Sequence, residues 1–390
     1  MINKPQERQI SVKETNLQCY SSFKDTLHQY NWDSIKDLIY SKKEEDVINA
    51  LSKPTGKCTL DDFMAMISPA GLPFLERMAT RSHQITQERF GKIIQLYIPL
   101  YLSNECQNIC TYCGFSMTNK IKRIILSDDQ ISKEIEVIKS HGFDNVLIVT
   151  GEANKTVGID YMLHALEIIS PHFAQVSMEV QPMDTEDYQK LTEAGVYSIL
   201  VYQETYNAKK YQDYHPKGRK SNFDYRLDTP DRIGKAGMHK IGLGCLIGLE
   251  DWRTDSWFTA LHLNYLEKKY WQTKYSISFP RLRPAEGVIP TNNMMTDKEL
   301  VQLICAYRIF DPDVELSLST RETKKFRDNA IKLGITSISA GSKTNPGGYS
   351  VDERSLEQFE ISDERDPQEF ASVITNQGYE PVWKDWFGNN

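Results

Sequence analysis

Eight short runs of apolar, often β-branched residues recur between residues 92 and 343. They read "KIIQLYIPLYL", "NVLIVTGE", "QVSMEVQP", "SILVYQETY", "KIGLGCLIG", "KYSISFPRLRP", "VELSLSTRE" and "ITSISAGSK". Between them lie stretches with helical spacing and helix punctuation. Ser127 and Gln130 form the pattern of a capping box, with Ile131, Ile135 and Ile138 on one face and Gly142 beyond the end. Thr296 and Glu299 repeat the pattern ahead of Leu300, Leu303, Ile304 and Tyr307, and Pro230 follows Thr229 at another helix start. Strand–helix alternation requires a parallel sheet, because parallel neighbours need a crossover long enough to hold a helix. Eight such units predict a (β/α)8 TIM-type barrel; a doubly wound open sheet is the alternative.

Residues 1–90 lack strand patterns. Segments such as "EDVINALSKP" and "LDDFMAMISPAGLPFLERMATRSH" read as helices broken by Pro and Gly. The expected organisation is therefore an N-terminal helical extension (1–90), the barrel (91–345) and a C-terminal tail packed on it (346–390). The tail ends in "PVWKDWFGNN", read as an apolar anchor.

Several function classes drop out early. The net charge is −7 and no basic tract stands out, which disfavours a nucleic-acid partner. The longest apolar run, "IIQLYIPLYL", is too short to span a bilayer, and the first residues hold no signal core. The expectation is a cytoplasmic protein with no membrane contact. Its seven cysteines do not suggest a disulfide framework.

Three of those cysteines are clustered. "NECQNICTYCGF" places Cys106, Cys110 and Cys113 at spacing C-x3-C-x2-C, directly after the first strand. A structural zinc site usually closes with four ligands, often as two separated pairs, and no second pair stands at such spacing here. Three buried thiols and a zinc knuckle are the plain alternatives. A 4Fe-4S cluster held by three cysteines leaves one iron open to an outside ligand, which accounts for the missing fourth.

This loop, with Tyr112 as the aromatic before the last cysteine, resembles the signature of the radical S-adenosyl-L-methionine (SAM) superfamily. The resemblance implies a 4Fe-4S cluster on Cys106, Cys110 and Cys113, with SAM chelated to the open iron and cleaved to a 5′-deoxyadenosyl radical. It can be followed along the strands. "TGE" ends in Glu152 where the family often has Gly-Gly-Glu for the methionine amino group, although Thr150 replaces the first glycine. "YQET" offers Gln203 and Glu204 for the ribose, of which a regular strand aims only one at the ligand. "YRLDTPDR" carries Arg226, similar to the biotin synthase arginine that pairs with the SAM carboxylate. "GLGCLIGLED" sets Gly244, Leu246, Gly248 and Asp251 on the family's fifth-strand pattern, with glycines admitting adenine against backbone. Each of these residues also has an ordinary reading as a rim carboxylate, a helix-surface ion pair or a barrel bend.

Taken in order, "CTYCGFSMTNKIKR", "MEVQP", "RLDTPDRIGKAG", "SFPRLRP", "SLSTRE", "SKTNPGGY" and "PVWKDW" resemble the 2-iminoacetate synthase family, the radical SAM tyrosine lyases of thiazole biosynthesis. The resemblance runs from about residue 70 to the C-terminus. It implies cleavage of the Cα–Cβ bond of L-tyrosine to 2-iminoacetate (dehydroglycine) and p-cresol. Thiazole synthase is the implied protein partner, and flavodoxin or ferredoxin the implied type of electron donor. A zwitterionic substrate calls for a carboxylate clamp. Arg321 is the first candidate, by likeness to related aromatic amino acid lyases, and Arg281 and Arg283 on the preceding strand are the others. Ser317 and Ser319 alternate with Arg321 and are candidates to face the substrate. The tyrosine lyase of hydrogenase maturation carries a second cluster on C-terminal cysteines; no cysteine follows Cys305 here. A tryptophan lyase and a non-catalytic iron–sulfur sensor are the competing functions.

Overall fold

Each of the eight runs forms a strand, and all pair in parallel: β1 (Ile93–Ser103), β2 (Asn145–Thr150), β3 (Gln175–Glu179), β4 (Ser198–Leu200), β5 (Lys240–Gly244), β6 (Lys274–Ser278), β7 (Glu315–Leu318) and β8 (Ser337–Ser339). The computed structural model describes residues 22–283, 294–351 and 357–384. Strand β1 pairs with β8 on one side (Gln95 opposite Ser337) and with β2 on the other (Ile98 opposite Val146). That double pairing closes the sheet and rules out the open one.

Alternation along β1 sorts its side chains. Leu96, Ile98, Leu100 and Leu102 are fully buried in the apolar core between strands and helices. Gln95, Tyr97, Pro99 and Tyr101 line the barrel interior. Proline is unusual within a central strand because it cannot donate to the ladder. Here Tyr97 O accepts from Ala340 on the β8 side, so the Pro99 nitrogen faces that same side, where β8 has already ended at Ser339. The lower interior is polar. Lys240 ion-pairs with Glu315, and Gln95 Nε2 donates to Gln175 Oε1 at 2.9 Å. Most barrels of this kind fill that space with Val, Ile and Leu.

The helices at Asp128–Ser140 and Asp297–Phe310 begin at the two expected capping boxes. Within the N-terminal region, the segment from residue 60 onwards is broken as expected, into Leu60–Ile67 and Leu75–Phe90. A 3-10 turn with Pro73 inside it separates them. These helices do not cover the barrel mouth. They lie on the outer ring, where Gln302 Nε2 donates to Met66 O and Ser68 O, and Trp257 Nε1 donates to Leu60 O. This cover explains why the helix Trp252–Lys269 is buried on nearly every side. Residues 1–21 of the extension lie outside the described residues.

A ninth strand, β9 (Glu380–Val382), has no counterpart in the sequence reading. It adds to the lower end of β1, with Ile93 opposite Glu380. Trp383 then packs edge-on against Phe143 with ring centroids 4.9 Å apart. Asp385 and Trp386, the remainder of the expected anchor, lie outside the described residues. No helix among the described residues is long and apolar enough to cross a membrane.

Candidate active site

The end of β1 is bent where the cysteine loop begins. Tyr101 pairs with Val149, but the next pair is Ser103 with Thr150, so Leu102 is an extra residue in a bulge. The loop beyond is drawn closed by Arg123, whose guanidinium donates to Asn104 O and Phe115 O at 2.8 Å and to Ser116 O at 2.7 Å. Cys106, Cys110 and Cys113 line one cavity at the C-terminal end of the strands. Two glycines let backbone crowd in around it. A Cβ on Gly151 would lie 2.1 Å from Glu105 O, and one on Gly114 would lie 2.7 Å from Gln358 O. Burial pushes all three thiols upward, Cys113 to about 11.

Among the described residues, no three His, Cys, Asp or Glu side chains meet closely enough to share one metal ion. The three sulfurs edge a cavity instead. Soft thiolate donors arranged around a cavity fit an iron–sulfur cluster. A bound cluster would displace the thiol protons as it formed.

A cage of charge forms the rest of this cavity. Arg226, only 4% exposed, donates from Nη1 to Glu152 Oε1 at 2.8 Å and from Nη2 to Glu204 Oε1 at 3.4 Å, while its Nε meets Tyr202 O at 2.6 Å. Lys220 Nζ lies 2.7 Å from Glu204 and 3.6 Å from Glu152. Burial works to raise both carboxyls, but the Arg226 and Lys220 charges outweigh it and hold them below the ordinary carboxylate value. Glu204 reaches this position with φ 72°, a left-handed backbone that costs a non-glycine residue free energy. Two cations and two anions at one cavity suit the amino and carboxylate groups of SAM's methionine end.

A second cavity adjoins the first, with Val149, Glu179, Tyr202, Glu204 and Gln358 common to both linings. Arg321, Ser317 and Ser319 line it. Ser319 Oγ accepts from the Arg321 backbone N–H at 3.4 Å. The Arg321 guanidinium lies flat on Phe359, 3.3 Å from the ring centre, and its one hydrogen bond among the described residues is a long one to Arg281 O at 3.5 Å. No carboxylate among those residues comes within ion-pair distance of it. Burial pulls its pKa below the ordinary guanidinium value.

Other expected site residues lie elsewhere. Arg281 and Arg283 line neither cavity. Both turn to Glu322, a carboxylate with no solvent exposure, Arg281 through Nε at 2.9 Å and Arg283 through Nη2 at 3.3 Å. Leaving that buried anion unpaired would be costly, so the structure places these two candidates in ion pairs within the chain and not at either cavity. Gln203 is buried away from the cavities, while Tyr202 and Glu204 on either side of it face them, as strand alternation requires. A Cβ on Gly244 would lie 3.0 Å from Ser278 O and 3.1 Å from Tyr202 Cδ1. Leu246 lines the second cavity, and Gly248 makes the turn after β5 with φ 119°. Asp251 is an N-cap, accepting from Thr254 N at 3.0 Å. Tyr112 lies behind the cysteine cavity, its hydroxyl 2.7 Å from His215 Nε2.

Four residues escaped the sequence reading. Asn108, within the cysteine loop, donates to Glu152 Oε2 at 2.8 Å and accepts from Lys220 N at 3.0 Å. Gln358 brings the tail into the site, 3.9 Å from the Cys113 sulfur. Lys220 sits in a short 3-10 turn, Arg219–Ser221, with no motif to mark it. Glu179 had a signal: a carboxylate set between Met178 and Val180 at a strand end.

The radical SAM superfamily model matches residues 100–256, and that of the biotin and thiamin synthesis associated domain matches residues 278–380. The 2-iminoacetate synthase of Escherichia coli (strain K12) is 48% identical over 366 residues, covering 94% of this chain and 97% of that protein. A crystal structure of HydG, a maturase of the FeFe-hydrogenase, is 30% identical with a TM-score of 0.85, covering 92% of this chain and 80% of that one. The methylornithine synthase PylB shares the fold, at 17% identity and a TM-score of 0.68 over 86% of this chain and 97% of that one.

Proposed function

The chain belongs to the 2-iminoacetate synthase family of radical SAM lyases, and from that premise we propose that it cleaves the Cα–Cβ bond of L-tyrosine. The products are 2-iminoacetate, destined for the thiazole moiety of thiamine, and p-cresol. The observation that carries the tyrosine reading is Arg321, a half-buried guanidinium with no carboxylate of the described residues within ion-pair distance, in a cavity adjoining that of the three thiols.

In this reading Cys106, Cys110 and Cys113 hold a 4Fe-4S cluster, and Glu152, Glu204, Lys220 and Arg226 receive SAM. When bound, these groups supply a 5′-deoxyadenosyl radical that removes a hydrogen atom from the tyrosine amino group. Arg321 grips the substrate carboxylate through two parallel hydrogen bonds. That grip fixes which hydrogen the radical meets, which a radical reaction needs above all. Ser317 and Ser319 offer hydroxyls beside it. The aromatic walls, Tyr97, Tyr101, Tyr202 and Phe279, exclude water from the reactive intermediates. The enzyme acts in the cytoplasm, takes its electron from a carrier such as flavodoxin or ferredoxin, and passes iminoacetate to thiazole synthase.

The test is to incubate anaerobically reconstituted protein with SAM, a reductant and L-tyrosine. The expected products are 5′-deoxyadenosine, p-cresol and iminoacetate, detected as its hydrolysis product glyoxylate. Cys110→Ala should lose both the cluster absorbance and all turnover. Absence of p-cresol from the cluster-loaded wild type sinks the proposal.

A further inference from the structure

Glu179 is the last residue of β3. Ser177, two residues earlier, lines the lower barrel cavity, and Glu179 lines both cavities of the mouth. Two carboxylates are common to those cavities. Glu204 is held by Lys220 and Arg226. Glu179 has no hydrogen-bond or ion-pair partner among the described residues.

The charged and titratable groups around it come from several elements. Arg321 follows β7, and Glu204, Lys220 and Arg226 follow β4; Tyr97 and Tyr101 lie on β1, and Tyr202 lies just past β4. Burial pushes the Glu179 carboxyl up to about 7, against the pull of Arg321. An unpaired carboxylate in such a place needs either a proton or a cation from outside the chain.

An amino acid held by Arg321 through its carboxylate, with its amino group toward the cysteine cavity, carries its ammonium into the space the cavities share. Loss of a hydrogen atom from an ammonium leaves an electron-poor aminium centre. Loss from a neutral amine leaves an aminyl radical that yields the imine directly when Cα–Cβ breaks. We propose that Glu179 is the acid–base residue of this reaction: its carboxylate docks the substrate ammonium between the two cavities and takes one proton from it, the N–H electron pair staying on nitrogen. The inference rests on the tyrosine reading above and deepens it.

Calorimetry of tyrosine binding to the cluster- and SAM-loaded protein tests it without turnover. Titrations in two buffers of different ionisation heat count the protons exchanged. A carboxyl half-protonated near pH 7 that must ionise or share its proton with the amine releases about half a proton per tyrosine at pH 7. Affinity should fall about tenfold from pH 8 to pH 6, since protonation of the free group competes with binding. Wild-type protein that releases no proton between pH 6 and pH 8 overturns the inference without any variant.

Glu179→Gln should abolish both the release and the pH dependence, with iron content and SAM affinity unchanged. Its product formation should fall about 10²–10⁴-fold, the usual range for losing a positioned base. Raising the pH toward the amine's own pKa should restore part of the rate. Rescue instead by 3,5-difluorotyrosine, whose phenol ionises near neutral pH, would assign the proton to the phenol and overturn the proposal. Turnover in Glu179→Gln equal to wild type would sink this inference alone. A wild type that makes no p-cresol would sink the tyrosine reading and this inference with it.

Discussion

Arg226 and Arg321 lie at the same end of the same barrel, Arg226 buried and Arg321 half-buried. Burial alone lowers the pKa of a guanidinium. For Arg321 burial prevails, and its pKa falls below the ordinary value. For Arg226 the Glu152 and Glu204 carboxylates more than offset burial, and its pKa rises. The first arginine is part of a charge cage that the protein completes itself. The second is a cation with no carboxylate of the described residues within ion-pair distance. A site for a zwitterion such as SAM's methionine end can be built from internally balanced charges that rearrange. A site that must fix one carboxylate in one orientation is better left unbalanced.

The largest expected effect comes from breaking the balanced partner. Arg226→Ala leaves Glu152 and Glu204 buried with Lys220 as their remaining cation. Removing one side of a buried pair costs about 3–5 kcal/mol. SAM affinity should fall at least about a hundredfold, and urea unfolding should show a loss of that order. The pH dependence sharpens this. Because the two carboxyls titrate below their ordinary value in the folded protein, they stabilise it above the unfolded pKa, and that stability is lost as pH falls through the folded one. In Arg226→Ala the acid limb should begin at higher pH. An unchanged acid limb and unchanged SAM affinity would mean that the cage is not a balanced unit.

Arg321→Ala removes the unbalanced partner and should act differently. A charge-assisted pair with a ligand contributes about 1.5–3 kcal/mol, or roughly 10–150-fold in binding. KM for tyrosine should rise by that factor, with iron content and SAM affinity intact. Stability should not fall, because the half-buried charge removed has no ion-pair partner among the described residues. A drop in stability matching that of Arg226→Ala would break the contrast.

Sequence made the fold legible because eight β-branched runs and their capping boxes are local signals. Closure was legible as a count of eight, and β9 was not, since a three-residue strand containing Pro381 resembles any tail. Apart from β1, the strands proved shorter than their runs. Residues 201–206 after β4 and 279–283 after β6 lie beyond the named strands, where pairing thins to isolated bridges, Glu204 with Cys245 and Arg281 with Ile247. The cysteine loop was legible as chemistry, since spacing alone sets three thiols together. The arginines were not, because their roles depend on where one glutamate points. Glu322 adjoins Arg321 in sequence, which invites pairing the two. Adjacent residues at a strand end diverge, so Glu322 turns back to β6 and takes Arg281 and Arg283 instead.

That exchange gives the smallest expected effect and the most direct check on the comparison. Arg281 is held by Glu322 and also by Asp297 at 2.8 Å, and it lines neither cavity. In Arg281→Ala, Arg283 remains to share the Glu322 charge, so the loss should be about 1–2 kcal/mol of stability, on the scale of a hydrogen bond to a charged group. KM for tyrosine should stay within about twofold of wild type. If Arg281→Ala raises KM as much as Arg321→Ala does, the substrate carboxylate spans both strand ends and Glu322 must release its partners when tyrosine enters. If KM holds while stability drops, the pairing with Glu322 marks Arg281 as structural, and Arg321, unpaired among the described residues, is left as the guanidinium of the second cavity for the substrate carboxylate.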